Sequence, residues 1–174
     1  MRKVSLYIAA SLDGQIARRN GSVDWLPVPS RREDYGYANF LRRVDTLVLG
    51  RKTYDHAVSG GEWPYGDRRS VVFSRTRQAR SAAPVEFVQG DVADTVRALR
   101  DTSGGDIWLV GGGEVVRSCL RARVIDEIIL SIPPVLLGEG LPLFLPQPVR
   151  TQWHLRNCHA FPDGLVQLSY EVQN

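Results

Sequence analysis

The sequence predicts an α/β domain that has a mainly parallel central sheet and an antiparallel hairpin at its C-terminal end. Apolar runs rich in β-branched residues alternate with helical patterns along the first three quarters of the chain, which is typical of parallel sheets. Near the C-terminus, Asp163 and Gly164 separate two runs of alternating polarity, and this dipeptide favours a tight hairpin turn. A chain of 174 residues with no evident linker is expected to form one domain over residues 1–174.

In the first half of the chain, each predicted strand is a short apolar run, and the predicted helix has apolar residues three and four positions apart. That helix covers residues 31–44, and Ser30 is expected to cap its start. Residues 11–30 and 59–67 are rich in glycine, proline and polar residues and are expected to be loops. The predicted strands are residues 3–10, 45–49, 70–74 and 85–88, and a short helix is expected to begin near Lys52.

The second half continues the same alternation and then closes with the hairpin. Residues 91–100 carry apolar side chains on one side of a helix, and a second helix is expected to follow Gly113 as far as about residue 120. Residues 138–148 are expected to form a loop that carries both glycine and proline. The predicted strands are residues 106–110, 124–133, 152–161 and 165–172.

The composition excludes several classes of protein. Hydrophobic residues make up 43% of the chain and charged residues 24%, and the net charge of +3 is spread along the sequence, so neither disorder nor nucleic-acid binding is expected. Three histidines and two cysteines match neither a metal-site spacing nor a disulfide framework. The N-terminal apolar stretch is soon interrupted by Asp13, which argues against a signal peptide or a membrane span and favours a cytoplasmic location.

Three strand-to-helix junctions point to a phosphate-containing ligand. Ligands of open parallel sheets bind beyond the carboxyl ends of the strands, where helices begin. Gly50 is followed by Arg51, Lys52 and Thr53, which add positive charge and a hydroxyl donor. The run Gly111-Gly112-Gly113 either lets a phosphate approach the backbone or forms a simple tight turn. Arg75 after Ser74 either binds a 2′-phosphate or is a solvated loop cation.

Five segments give the chain a resemblance to the dihydrofolate reductase superfamily. They are IAASLDGQIA (8–17), VDTLVLGRKTYD (44–55), VVFSR (71–75), IWLVGGGEVV (107–116) and IDEIILSIPPVLLGEGLPLF (125–144). The chain looks closest to the RibD C-terminal branch, which is the reductase domain of the riboflavin-pathway deaminase-reductase. The resemblance implies a three-layer α/β/α fold and an NADPH-dependent reductase with a small-molecule substrate, and it favours a homodimer.

The same resemblance implies roles for cofactor-binding residues. Ala10, Ile16 and Ala17 would contact the nicotinamide, and Gly50, Arg51, Lys52 and Thr53 would hold the pyrophosphate region. Ser74 and Arg75 would bind the adenosine 2′-phosphate, which favours NADPH over NADH. Gly111 and Gly112, after Val110, would be joined by a cis peptide bond, and Gly113, Glu114 and Val115 would cover the phosphates and the nicotinamide.

By the resemblance, the substrate would lie beside Trp25, Asp34 and Tyr37. Asp34 would relay a proton and Ser131 would contact it. Two alternatives remain open: Asp34 is an acid that stabilises the start of a helix, and Trp25 packs its loop. Arg31 or Arg32 would contribute to a substrate phosphate site.

Two alternatives for the reaction remain open: reduction of a ribosylaminopyrimidine to its ribityl form (the phosphoribosylaminouracil reductase reaction), or an unassigned pterin- or pyrimidine-type reduction. Folate reduction is a weaker alternative, because no arginine is placed for a folate tail. The deaminase half of the riboflavin enzyme has no counterpart here. A non-catalytic nucleotide-binding regulatory domain is the alternative of another class.

The apolar segment 135–146 is expected either to pack on the sheet or to form a homodimer contact.

Overall fold

The central sheet follows from strands that are apolar on both faces. A computed structural model describes residues 1–27, 33–76 and 84–173. The described helices are α1 (Tyr37–Arg43), α2 (Arg51–Ala57), α3 (Val92–Arg100) and α4 (Gly113–Arg121). The described strands are β1 (Val4–Ala9), β2 (Gln15–Ala17), β3 (Val44–Gly50), β4 (Arg69–Phe73), β5 (Val85–Val88), β6 (Asp106–Gly111), β7 (Glu127–Ile132), β8 (Leu141–Pro142), β9 (Trp153–Ala160) and β10 (Val166–Val172).

Eight strands form one sheet in the order β5-β4-β3-β6-β1-β7-β10-β9, and β2 pairs with β8 separately. The pairings from β5 through to β7 are all parallel, whereas β10 runs antiparallel to both β7 and β9. The predicted fold class is therefore confirmed. Parallel strands that are neighbours in the sheet place their carboxyl ends at a common edge, and this edge carries the candidate site described below.

Neighbouring residues of one strand point to opposite faces of the sheet, so each face has its own core. Leu109 of β6 belongs to a cluster that includes Val96 of α3 and Val116 of α4. Trp108, the preceding residue, belongs to a second cluster with Phe40 of α1, and Tyr54 of α2 lies in the same cluster. Helices α1 and α2 thus cover one face and α3 and α4 the other, which gives the three layers.

The predicted helix over residues 31–44 is wrong at its start, because α1 begins only at Tyr37. Tyr35 and Gly36 have φ angles of 54° and 79°, and two left-handed residues in succession cannot continue a right-handed helix. The strand predicted from residue 124 also begins later, at Glu127. Strands β2 and β8 lie in segments that were expected to be loops. Ser30, Arg31 and Arg32 lie outside the described residues.

The two cysteines have opposite environments. Cys119 is buried in α4, and its burial raises the pKa of the thiol to about 12. Cys158 is exposed on β9, and neither cysteine forms a disulfide. Within the described residues, no group of three His, Cys, Asp or Glu side chains is arranged to hold a metal ion. No helix in the same part of the chain is long and apolar enough to cross a membrane.

Candidate active site

The ends of β3, β4 and β6 lie side by side at one edge of the sheet. Gly50 at the end of β3 is in register with Phe73 of β4, and Leu49 is in register with Gly111 of β6. The residues that follow these ends come from the three junctions predicted to bind phosphate. The fold therefore brings the segments after Gly50, Phe73 and Gly111 together at one edge instead of scattering them.

Gly112 lies where a side chain from α2 and one from the first loop converge. A Cβ atom built on Gly112 would lie 3.6 Å from Oγ1 of Thr53 and 3.9 Å from Cδ1 of Ile16. The peptide bond between Gly111 and Gly112 is cis, which confirms the predicted geometry, and Gly111 has a φ of 122° that favours glycine. The absence of a side chain at Gly112 leaves a space bounded by Thr53 and Ile16.

The carboxyl ends of the two central strands, β1 and β6, are accessible. Leu6 of β1 and Leu109 of β6 are fully buried, as expected for strands with neighbours on both sides. Ala9 and Val110, which lie further along the same strands, are only half-buried. The accessible surface where these strands end, next to Gly112, is called the cleft below.

Positive charge surrounds the junctions, but the cations differ in how they are held. Nε of Arg51 lies 2.7 Å from Oδ1 of Asp55, and its guanidinium lies 5.7 Å from the centre of the Phe87 ring. Lys52 and Arg75 are exposed, and neither forms an ion pair with any acid that the structure describes. Arg51 is thus oriented within the protein, whereas Lys52 and Arg75 keep their ammonium and guanidinium groups in solvent.

Ser74 is buried at the end of β4. Its backbone N–H donates to the carbonyl of Val88, and its hydroxyl donates to the carbonyl of Thr76 at 2.6 Å. The hydroxyl oxygen keeps a lone pair, but its proton is directed into its own loop. A 2′-phosphate at this position would require the hydroxyl to rotate.

Strand β8 lies against one side of the start of α4. A Cβ on Gly113 would lie 2.9 Å from the carbonyl oxygen of Pro142, so β8 itself requires glycine at this position. No side chain caps the helix at Gly112. Glu114 forms an ion pair with Arg117 on its own helix, and Val115 is buried beneath Gly50. Of these residues, Gly112 is the one whose missing side chain faces the cleft.

The loop after β1 is tied to the segment that precedes β8. Ala10 donates its backbone N–H to the carbonyl of Ser131 at 2.9 Å, and Ala17 pairs with Leu141. The carboxylate of Asp13 accepts the backbone N–H groups of Leu137 and Gly138, at 3.1 Å and 2.8 Å. Asp13 is a functional candidate that the sequence analysis missed, although the turn it occupies was recognised.

Asp34 stabilises the turn before α1. One carboxylate oxygen accepts the N–H of Gly36 and the other accepts the N–H of Ala38, both at 2.9 Å. These bonds, that of Ala38 foremost, lower the pKa of Asp34 below its ordinary value. Of the two alternatives for Asp34, the structure therefore favours the helix-start acid, because a proton relay would need a raised pKa.

Ser131 does not meet Asp34 directly. Its hydroxyl oxygen accepts a hydrogen bond from Nε2 of Gln167 at 3.0 Å, and the same nitrogen donates to the carbonyl of Tyr35 at 3.0 Å. The hydroxyl of Tyr7 donates to that carbonyl as well, also at 3.0 Å. Gln167 thus connects Ser131 to the turn that contains Asp34, and Tyr7 bonds to the same turn; sequence reasoning gave no signal for either.

The two aromatic residues predicted to contact substrate lie in different surroundings. Tyr37, the first residue of α1, packs its ring 5.9 Å from that of Tyr7 and 5.8 Å from that of Trp108. Trp25 is buried, and its Nε1 donates to no acceptor in the structure. The packing alternative for Trp25 fits its burial.

Comparison with known proteins agrees with this geometry. The RibD C-terminal domain model matches residues 2–167. The uncharacterized protein YwjB of Bacillus subtilis is 40% identical over 171 residues, which is 97% of each chain. A structure from Shewanella sp. PV-4, provisionally assigned to riboflavin biosynthesis, is 30% identical and covers 99% of both chains with a TM-score of 0.88.

At lower identity the fold alone is shared. Dihydrofolate reductase from Enterococcus faecalis, solved with NADP(H), is 17% identical and superposes with a TM-score of 0.71 over 99% of this chain and 97% of its own. The family model covers nearly the whole sequence, and the sheet order, the cis Gly111-Gly112 bond and the adjacent strand ends accompany it. The chain belongs to the RibD C-terminal domain family.

Proposed function

We propose that this protein is an NADPH-dependent reductase that transfers hydride to a small pterin- or pyrimidine-like molecule. The observation that carries the proposal is the convergence of Thr53, Ile16 and Gly112 around a space that a single Cβ would enter. The exposed cations Lys52 and Arg75 lie on the two neighbouring junctions after β3 and β4. A dinucleotide binds across the carboxyl ends of neighbouring strands, and three adjacent strand ends match that arrangement.

The residues present fit the cofactor. Lys52, Thr53 and the uncapped start of α4 would hold its phosphates, and Ser74 with Arg75 would bind the 2′-phosphate that distinguishes NADPH from NADH. Ala10, Ile16 and Ala17 would contact the nicotinamide. When bound, the cofactor supplies the hydride, and the protein supplies orientation and excludes water. The Enterococcus faecalis relative, which was solved with NADP(H), supports this assignment.

The proton that accompanies hydride transfer requires a different account from the one suggested by dihydrofolate reductase. Asp34 is ionised and engaged by backbone N–H groups, so it would orient a polar substrate or a water molecule rather than donate a proton. We propose that solvent delivers the proton along the open side of the cleft. A site in which Asp34 does not relay a proton favours reduction of a ribosylaminopyrimidine-type substrate over folate reduction.

The test combines cofactor binding with turnover. Quenching of NADPH fluorescence measures binding, and NADH serves as the control for the 2′-phosphate. Loss of NADPH absorbance is then followed with dihydrofolate, with the phosphoribosylaminouracil and with a panel of carbonyl and imine compounds. Tight NADPH binding with no oxidation on the whole panel would favour the non-catalytic nucleotide-binding domain instead. Equal affinity for NADH would remove the role proposed for Arg75.

A further inference from the structure

A contiguous group of aromatic rings fills the sheet face between α1 and α2. Four of them are called the aromatic floor: the buried Trp108 and the half-buried Tyr37, Trp63 and Tyr65. The ring of Tyr65 lies 5.0 Å from that of Trp63 and 5.2 Å from that of Trp108, both edge-on. Trp108 in turn lies 5.8 Å from Tyr37. Edge-to-face contacts at these distances are favourable, so the rings form a packed layer.

The aromatic floor joins both helices that flank the cleft. Tyr37 belongs to α1, and Trp63 packs 5.5 Å from Tyr54 of α2. Trp108 projects from the middle of β6, two residues before the half-buried Val110 at the cleft. The layer therefore separates the space at the strand ends from the lower part of the sheet face.

The loop that supplies Trp63 and Tyr65 is held in place by an arginine. The guanidinium of Arg68 donates to the carbonyl of Tyr65 at 3.2 Å, to that of Leu41 at 3.1 Å and to that of Val44 at 3.2 Å. Two of these carbonyls lie at the C-terminal end of α1. Burial also raises the pKa of Tyr65 to about 12, so its hydroxyl stays neutral at all physiological pH values.

We propose that Trp63 and Tyr65 determine substrate size, by closing the cleft between α1 and α2 so that it accepts one compact ring system without an extended aromatic arm. The inference rests on the proposed function, since it concerns the substrate of the same site. A substrate at the strand ends meets the aromatic floor as soon as it extends between the two helices. Only a ring short enough to stay above Tyr37 and Tyr65 fits.

The test compares two diaminopteridines, one bearing a methyl group and the other bearing a benzoylglutamate arm at the same carbon. Calorimetry measures the binding of each to the NADPH-saturated protein. The short compound is expected to bind at least tenfold more tightly than the long one. Tyr65→Ala is expected to remove most of that difference, whereas Tyr65→Phe, which keeps the ring, is expected to preserve it. Trp63→Phe is a second matched variant, because Nε1 of Trp63 donates to no acceptor among the residues that the structure describes.

Equal binding of the two compounds by the wild-type protein would overturn the proposal. So would binding of neither, or an unchanged ratio in a folded Tyr65→Ala variant. NADPH fluorescence quenching reports separately on the proposed function. The two pteridines are therefore also titrated into the protein without NADPH. Discrimination between them by a protein that does not bind NADPH would leave the size limit intact and reject the cofactor, while NADPH binding without discrimination would do the reverse.

Discussion

Oδ2 of Asp13 accepts a hydrogen bond from the backbone N–H of Gly138 at 2.8 Å, although 125 residues separate the two along the chain. The hydroxyl of Ser11 donates to the other oxygen of the same carboxylate, and that bond is the main reason why the pKa of Asp13 is lowered. Asp13 thus connects the loop predicted to touch the nicotinamide to the segment that leads into β8.

Replacing Asp13 by alanine is expected to weaken NADPH binding several-fold while the sheet stays folded. The loop from Ala10 to Ala17 would lose its anchor on Leu137 and Gly138, and ordering it would then cost part of the binding free energy. Fluorescence titration gives the dissociation constant. Asp24→Ala is the matched control, because the side-chain bonds of Asp24 within the described residues are local, to Arg18 and Ser22. Equal effects of the two substitutions would argue against the anchor.

Gly112→Ala is expected to leave the protein folded and to reduce NADPH affinity by more than about tenfold, because the added methyl group would enter the space proposed for the cofactor. Within the protein, the new Cβ meets Thr53 and Ile16 only at ordinary contact distances. Thermal unfolding and fluorescence titration give the two quantities. Gly60→Ala, at a site with no atoms within 4 Å, is the control. Unchanged NADPH binding in a folded Gly112→Ala variant would contradict the proposed cofactor site.

Gln167→Ala and Tyr7→Phe each remove one of the two hydrogen bonds donated to the carbonyl of Tyr35. Each is expected to lower the free energy of unfolding by about 1 kcal/mol. Because both bonds converge on one oxygen, the double variant should cost more than the sum of the single ones. Urea denaturation of the four proteins measures this coupling. Strict additivity would show that the two donors act independently.

The lowered pKa of Asp34 predicts how stability and rate depend on pH. A carboxylate whose folded pKa is depressed stabilises the protein fully above the unfolded pKa of about 3.9, and this contribution is lost as the pH falls through the lower folded value. The stability difference between wild type and Asp34→Asn is therefore expected to be constant from about pH 8 to about pH 5 and to shrink below about pH 4. Denaturation at several pH values measures this difference.

In the same pH range, the pH profiles of kcat/KM for the wild type and for Asp34→Asn are expected to show the same ionisations. An acid limb near neutrality that disappears in this variant would restore Asp34 as the proton relay. The comparison is made under conditions where both proteins remain folded.

A homodimer is proposed through the apolar surface of the segment before and after β8. Leu136 is 71% exposed and Phe144 is 49% exposed, and Leu12 of the neighbouring loop is 58% exposed, whereas Leu143 between them is buried. Leu136→Glu is expected to shift sedimentation from dimer to monomer. Leu155→Glu, on the outer strand β9, is the control for association through the sheet edge. Dissociation by Leu155→Glu alone would move the interface to β9.

The sequence predicted those parts of the fold whose causes are local. The hairpin of β9 and β10 follows from the turn at Asp163-Gly164. Asp91 caps the start of α3, and its side chain accepts the N–H of Asp94. The start of α1 was missed because residues 31–36 share the polarity of a helix surface. Gly36 was the available signal, but no sequence rule indicates that Tyr35 is left-handed as well.

The candidate site was predictable where topology alone brings residues together. Thr53 and Gly112 follow adjacent parallel strands, so their proximity follows from the order of β3 and β6. Gln167 was not predictable in this way, because its partners Tyr35 and Ser131 lie 132 and 36 residues away. The Asp34 alternatives depended on which backbone N–H groups face the carboxylate, and only a three-dimensional structure supplies that.

The contrast between the two cysteines has a practical consequence. A thiol with a pKa of about 12 inside α4 is inert to maleimides and iodoacetamides near neutral pH, while Cys158 projects into solvent from the outermost strand. The native protein therefore takes a single fluorophore or spin label at one defined position without mutagenesis. Such a label on the terminal hairpin would report association and rotational diffusion directly, from a strand that is not adjacent to the proposed cofactor site.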